Sequence, residues 1–128
     1  MSGPIVFISH FKVKEGKSEG LLELNEKVTA QLKTDKPGTV GFLLFMNPAG
    51  TELSIVHVFP DAVSFDRHVE GVGERSNVSL EFIEPTGREL YGMPSDQVIS
   101  MLTPPLESGM TFRHVSNFSN GFLRLMQG

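Results

Sequence analysis

Several absences restrict what this chain can do. It has no cysteine, which excludes disulfides, thiolate metal sites, cysteine nucleophiles and iron–sulfur clusters. No apolar run approaches the roughly 20 residues that span a bilayer. The short apolar run near the N-terminus follows no basic residue, unlike that of a signal peptide. These features predict a cytoplasmic protein without a membrane partner.

The charge of the chain is also modest. Lysine and arginine total 11, aspartate and glutamate total 15, and the net charge is −4. The basic residues are scattered rather than clustered, so we predict no nucleic-acid partner. A length of 128 residues suits one main hydrophobic core.

The first apolar stretch, PIVFISHF at residues 4–11, predicts a strand that is apolar on both faces. A half-buried strand alternates apolar and polar residues, but here each face carries only one polar side chain. Ser9 lies on one face and His10 on the other. A strand of this kind must be covered from both sides.

Periodicity predicts further elements along the chain. Leucines and valines at helical spacing indicate a first helix, with Ser18 as its N-cap, and Asp61 is the predicted N-cap of a second. Residues 74–84 are compatible with another helical turn or two. In chain order, the predicted elements are a strand at 4–11, a helix at 18–34, strands at 40–46 and 53–59, a helix at 62–72 and a strand at 87–92. This β-α-β-β-α-β order predicts an α+β, ferredoxin-like fold with an antiparallel sheet.

A C-terminal extension, residues 94–128, follows this first domain of residues 1–93. It begins with a predicted short helix, for which Ser95 is the N-cap. Residues 110–128 then resemble an extended arm, which we expect to dock on its own domain or on a partner subunit. The apolar side chains of this arm are Phe112, Val115, Phe118, Phe122 and Leu125.

The two helices of this fold cover one face of the sheet and leave the other bare. Burial of one large apolar side chain is worth roughly 1.5–3 kcal/mol, so an apolar face left in water is costly. A second copy packing sheet to sheet would cover it, which predicts a homodimer. The alternative is that the extension after Tyr91 folds back over the bare face. His10 is expected at the dimer contact.

Short motifs strengthen this interpretation. The segments PIVFISHFKVKEGK and HVFPDAVSFDRHVE, with the long amphipathic helix between them, resemble the antibiotic biosynthesis monooxygenase-like family of the dimeric α+β barrel superfamily. The resemblance covers roughly residues 4–92. It implies a dimer that works without a cofactor and binds a small aromatic or quinone-like molecule between sheet and helices. Other members of the superfamily carry out different chemistry, including haem degradation.

The haem-degrading members differ from this chain at three positions. They use an asparagine late in the first strand, a tryptophan at the end of the third and a histidine past the second helix. The corresponding positions hold Ser9 and Phe59, no histidine lies near Val78, and the chain has no tryptophan. We therefore predict no haem and no other cofactor.

The resemblance implies a site on the helix-covered face. We expect the first and third strands to be parallel neighbours, which would bring Ser9 close to His57. The candidate catalytic residues are His57 as general base, with Ser9 and Asn25 as polar positioning groups. The candidate ligand-binding residues are Phe7, Phe59 and His68.

Each of these residues also has a structural interpretation. His57 and His68 can be packed core histidines, the Ser9 hydroxyl can bond nearby backbone, and Asn25 can face water. The histidines lack metal-ligand spacing, so we predict no metal site. The sequence also contains no recognisable motif for a catalytic nucleophile. Three hypotheses remain. The chain is a cofactor-independent monooxygenase, or a non-catalytic small-ligand-binding or accessory dimer, or a protein that detoxifies a small quinone or aldehyde.

Overall fold

The computed structural model describes residues 3–125, so residues 126–128 of the predicted arm lie outside the described part. A 3-10 turn, Leu106–Ser108, precedes the last strand. The strands are β1 (Ile5–Val13), β2 (Gly41–Met46), β3 (Glu52–Phe59), β4 (Ile83–Tyr91) and β5 (Thr111–Val115), and the helices are α1 (Ser18–Asp35), α2 (Ala62–Val69), α3 (Val72–Ser79) and α4 (Asp96–Leu102).

The strands form one sheet in the order β2-β3-β1-β4-β5. The first four strands pair antiparallel, as the predicted ferredoxin-like β-α-β-β-α-β arrangement requires. That predicted fold class is confirmed. The sheet is mixed because β5, from the C-terminal extension, pairs parallel with β4.

The expectation that the first and third strands run parallel is wrong. Helix α1 carries the chain back before β2 begins, so β2 runs in the same direction as β1. The hairpin after β2 then reverses the chain, which places β3 antiparallel beside β1. In the observed register, Phe7 lies opposite His57 and Ser9 lies opposite Ile55.

Two of the three predicted helix caps are confirmed. An oxygen of Asp61 accepts from the Ser64 amide at 2.8 Å, and the Ser95 hydroxyl accepts from the Val98 amide at 3.3 Å. Ser18 is not a cap, because α1 already includes it and the cap position is Lys17, which makes no side-chain capping bond. Helix α2 ends earlier than predicted, because Gly71 adopts a left-handed φ of 80° and α3 starts as a separate helix.

The core under the helices is divided into two clusters. Ser9 lies on β1 between them and is itself buried, so this small polar residue marks the junction of the two clusters. The first cluster consists of Ile5, Phe7, Phe59, Phe65, Leu90, Val98 and Leu102. The second cluster consists of Val13, Leu21, Leu53 and Ile83.

The extension lengthens the sheet and does not cover its bare face. Its helix α4 contributes Val98 and Leu102 to the first core cluster, and β5 then pairs along β4. Gly87 permits this pairing, because a side chain there would collide with Thr111. Residues 117–125 are exposed in the single chain. The alternative in which the extension covers the helix-free face is therefore wrong.

Replacing Phe65 with alanine should lower the free energy of unfolding by about 3–5 kcal/mol, because it removes a buried ring that stacks on Phe59. Val63→Ala on the same helix is the matched control, since that side chain is 58% exposed. It should change the free energy by less than about 0.5 kcal/mol. Urea unfolding measures both values, and equal losses would contradict this description of the core.

Candidate functional site

The predicted site residue His57 lies in a packed aromatic cluster on the helix-covered face. Its ring stacks on that of Phe7, with centroids 5.1 Å apart, and meets the edge of Phe42 at 5.3 Å. The ring of His68 contacts it at 5.1 Å and nearly at right angles. His57 is only 7% exposed.

A backbone hydrogen bond fixes the tautomer of His57. The Phe7 carbonyl oxygen lies 3.0 Å from Nδ1 and can only accept, so Nδ1 carries the proton. Nε2 is then the unprotonated nitrogen of the neutral ring. Burial lowers the pKa of His57 to about 4, against the opposing effect of the Phe7 bond and with a further lowering by Arg75. His57 is therefore neutral at pH 7.

His68 projects from α2 into the same cluster. Its Nδ1 is hydrogen-bonded to the Thr39 hydroxyl at 2.7 Å, and Arg75 donates to its backbone carbonyl at 2.6 Å. Burial, followed by the charges of His57, Arg75 and Lys36, lowers the pKa of His68 to about 3. The two histidines form a neutral, water-poor pair.

A separate open groove of about 440 Å³ lies between α1 and the edge of the sheet. Leu21 and Leu32 are buried at the two ends of α1, whereas Asn25 between them is only half-buried. The helix is thus anchored at both ends, and its middle forms one wall of the groove. The lining includes Leu22, Asn25 and Thr29 from α1, with Leu44, Met46 and Leu53 from the sheet.

The structure divides the predicted site between two places. The residues Phe7, His57, Phe59 and His68 belong to the aromatic cluster, whereas Asn25 lines the groove. Ser9 is buried, opposite Ile55 on one side and Arg88 on the other. Arg88 donates to the Leu102 carbonyl at 2.6 Å, which ties α4 over this part of β1. The roles predicted for these residues stay predictions.

Sequence reasoning missed most of the groove. Thr29 is half-buried and Ala30 is exposed, and both are small residues on the flank of α1 that borders the groove. Their small size was the available signal that the helix leaves space there. Arg75, seven residues after His68, was also missed, although its side chain donates to the His68 carbonyl oxygen. Nothing local to Arg75 indicates that its side chain turns back to a helix end.

Within residues 3–125, no group of three histidine or acidic side chains is arranged to hold a metal ion. None of the helices described there combines the length and the apolar character that crossing a bilayer requires.

Solved structures give the comparison with known proteins. MupZ from Pseudomonas fluorescens matches with a TM-score of 0.66 and 16% identity over 95% of each chain. SnoaB, a cofactor-independent oxygenase from Streptomyces nogalater, matches with a TM-score of 0.60 and 16% identity over 73% of this chain and 95% of its own. A candidate antibiotic biosynthesis monooxygenase from Bacteroides thetaiotaomicron matches with a TM-score of 0.56 and 10% identity, covering 64% of this chain and 81% of that one.

The chain shares the ferredoxin-like α+β fold of these solved structures. At these identities the likeness concerns the fold. No protein-family model and no curated protein matches the sequence. The match with MupZ covers 95% of this chain, so it includes most of the segment after residue 93.

Acid should destabilise the protein through the two buried histidines. Their folded pKa values lie below the ordinary value, so the unfolded chain binds more protons between pH 6.5 and about 4. The contribution of these histidines to stability is fully present above pH 6.5. On acidification to pH 4, His57 alone should lower the free energy of unfolding by roughly 3 kcal/mol.

Urea unfolding at several pH values measures this loss. His57→Gln and His68→Gln should each remove part of the pH dependence, because glutamine does not titrate. An unchanged slope in both variants would mean that the rings are protonated equally in the folded and unfolded chains.

Proposed function

We propose that this protein is a cytoplasmic homodimer that binds a small aromatic or quinone-like molecule in the groove between α1 and the sheet. The groove itself is the observation that carries this proposal. Its volume of about 440 Å³ falls in the range of small-molecule sites. In this proposal the protein needs no cofactor and no nucleic-acid partner.

The lining of the groove suits a flat ring that carries a polar substituent. Leu44, Met46 and Leu53 provide an apolar floor on the sheet. Asn25 and Thr29, on α1, place an amide and a hydroxyl along one wall. A ring lying against the floor would bury apolar surface, while its oxygen substituents would meet the polar wall.

The surroundings of His57 favour binding over catalysis. A phenol has an ordinary pKa near 10, so a base with a pKa of about 4 takes its proton at a cost of roughly 8 kcal/mol. The ring is also enclosed by Phe7, Phe42 and His68. A substrate would have to displace one of these side chains to reach Nε2.

The second candidate is cofactor-free oxygenation, which the structural likeness to SnoaB favours. In this candidate His57 removes a proton from a phenolic or anthrone-like substrate, whose anion then reacts with oxygen. Ser9 and Asn25 position the substrate, and the Asn25 amide stabilises the developing oxyanion. Phe7, Phe59 and His68 would line the ligand side of such a site.

Filling the groove should abolish binding. Ala30→Trp places an indole among the lining residues, and we expect at least a tenfold increase in the dissociation constant for 1,4-naphthoquinone, measured by titration calorimetry. Val63→Trp is the matched control, on the exposed side of α2. Quinone affinity that Ala30→Trp leaves unchanged would contradict the proposed site.

Oxygen uptake with anthrone distinguishes the two candidates. Uptake that depends on protein and falls in both His57→Ala and Asn25→Ala supports the oxygenase, whereas quinone binding without uptake supports the binding protein. Equal uptake in wild type and His57→Ala would exclude that histidine as the base.

The proposed dimer rests on the helix-free face of the sheet. The apolar side chains on this face are Val6, Ile8, Leu43, Phe45, Val56 and Val58. In the single chain Leu43 is 51% exposed and Phe45 is 58% exposed. An apolar sheet face of this kind is typical of an interface. A second copy provides a matching surface by symmetry.

The arm extends this proposal. After β5, Phe118 is 48% exposed and Phe122 is 77% exposed, although the side chain of Phe118 lies against Gly3 at the start of β1. The arm therefore passes the start of the chain near β1 with much of its aromatic surface uncovered. We expect it to dock on the partner subunit, as a segment outside the domain of residues 1–93.

Sedimentation tests the dimer. Phe45→Asp should convert a dimer at micromolar concentration into a monomer, because it places a charge on the apolar face that the partner would cover. Val63→Asp, equally exposed in the single chain but on the helix side, should remain dimeric. A monomeric wild type would overturn the proposed assembly.

A further inference from the structure

A line of hydrogen-bonded side chains crosses the helix-free face, on the opposite side of the sheet from the groove. His10 on β1 lies opposite Ser54 on β3, and its Nδ1 is 2.8 Å from the Ser54 hydroxyl oxygen. The other ring nitrogen, Nε2, is 2.6 Å from a carboxylate oxygen of Glu89 on β4. The Tyr91 hydroxyl donates to the second carboxylate oxygen at 2.7 Å.

The carboxylate determines which nitrogen of His10 carries the proton. Hydrogen bonds from His10 and Tyr91 hold the pKa of Glu89 below its ordinary value, and the charge of Arg113 on β5 acts in the same direction. An ionised carboxylate only accepts, so Nε2 of the neutral ring must be the donor. Nδ1 is then free to accept, and the Ser54 hydroxyl donates to it.

These contacts are those of an activated nucleophile. A hydroxyl within hydrogen-bond reach of an imidazole, with the imidazole oriented by a third group, is the arrangement that lets serine attack a carbonyl. The roles follow from geometry and do not depend on chain order. Here the serine lies at Nδ1 of the imidazole and the carboxylate at Nε2. In the single chain the side chains of His10 and Glu89 are 39% and 31% exposed, and Ser54 is half-buried.

A cleft of about 330 Å³ adjoins this line of residues at the corner of the sheet where β2 turns into β3. Ser54 and His10 both line the cleft, so the hydrogen-bonded pair lies beside space that a small molecule can enter. Phe45 and Met46 make part of its wall apolar. Asn47 lines it as well, and its side-chain amide donates to the Thr51 hydroxyl at 2.8 Å, which holds the turn that closes this corner of the cleft.

We propose that Ser54, His10 and Glu89 form a second site, which hydrolyses small carboxylic esters with a short acyl chain. The Ser54 oxygen bonds to the ester carbonyl carbon as its proton passes to Nδ1 of His10. The bond from that carbon to the alkoxy oxygen breaks, and the alcohol leaves with the proton. Water then attacks the acyl-serine in the same way and releases the carboxylic acid.

Within this site, Ser54 and His10 are the catalytic residues and Glu89 is a positioning residue. Glu89 holds the His10 ring in the tautomer that accepts from Ser54, and it favours the imidazolium that forms when the proton moves. Tyr91 in turn holds the carboxylate by its second oxygen. The inference is independent of ligand binding in the groove, because it uses the other face of the sheet.

A fluorophosphonate probe tests the nucleophile directly, because it reacts with activated serines and leaves a covalent adduct. We expect peptide mass spectrometry of the full chain to place the adduct on Ser54, and Ser54→Ala to abolish it. Ser100→Ala, at an exposed serine on α4, should have no effect. The same samples should hydrolyse p-nitrophenyl acetate, with at least a tenfold loss of rate in Ser54→Ala.

Variants of His10 and Glu89 should slow labelling of Ser54 to different degrees. Residues that only stabilise the fold would not give such a graded effect on the rate. His10→Gln should slow labelling at least tenfold, Glu89→Gln should slow it less, and Glu89→Asp should restore part of the rate by restoring the charge. Circular dichroism melts confirm that each variant folds. A wild type that folds but carries no adduct on Ser54, or labelling that His10→Gln leaves unchanged, overturns the proposal. Neither result affects quinone binding in the groove.

Discussion

Both faces of the central strand β1 are apolar, and the rest of the architecture follows from the need to cover them. On one face Ile5 and Phe7 pack under α2 and the α4 side chains Val98 and Leu102, in one core cluster. Helix α1 covers the other end of the same face, through Leu21. The opposite face receives no helix, and the extension adds β5 beside β4 instead of a lid. A single chain therefore covers only one of the two apolar faces of its first strand.

Elements whose signals are local could be predicted from the sequence, and features set by spacing between elements could not. Asp61 and Ser95 are correct caps because a cap bond joins residues three apart. The direction of β3 could also have been predicted from the sequence, because a crossover helix followed by a hairpin determines it. The groove was not, because its width depends on where Leu21 and Leu32 hold the ends of α1. The extended arm was predicted, but its first part, β5, finds its partner in β4 through long-range pairing that no local pattern encodes.

The histidines show why residue type alone gave an incomplete site. His57 and His68 share a pocket of aromatic rings, where burial favours the neutral form of each ring. His10 has the same side chain but lies beside a carboxylate, and its hydrogen bonds join two neighbouring strands to its own. The sequence pointed to His57 because it lies on an apolar strand near a predicted pocket. The partners that distinguish the three rings come from other strands and helices, so they become visible only once the register of the sheet is known.

The polar line across the helix-free face must also be consistent with a second copy lying there. Polar groups at an apolar contact are costly when they lack partners, and the His10 ring has a partner at each nitrogen. The face can therefore be buried without leaving these groups unsatisfied. The adjoining cleft lies at the corner formed by the edge strand β2 and its turn, away from Val6 and Ile8 at the centre of the face. A partner packed over that centre would exclude water from the inner end of the line and leave Ser54 reachable at the corner, which would strengthen the electrostatic pairing of His10 with Glu89.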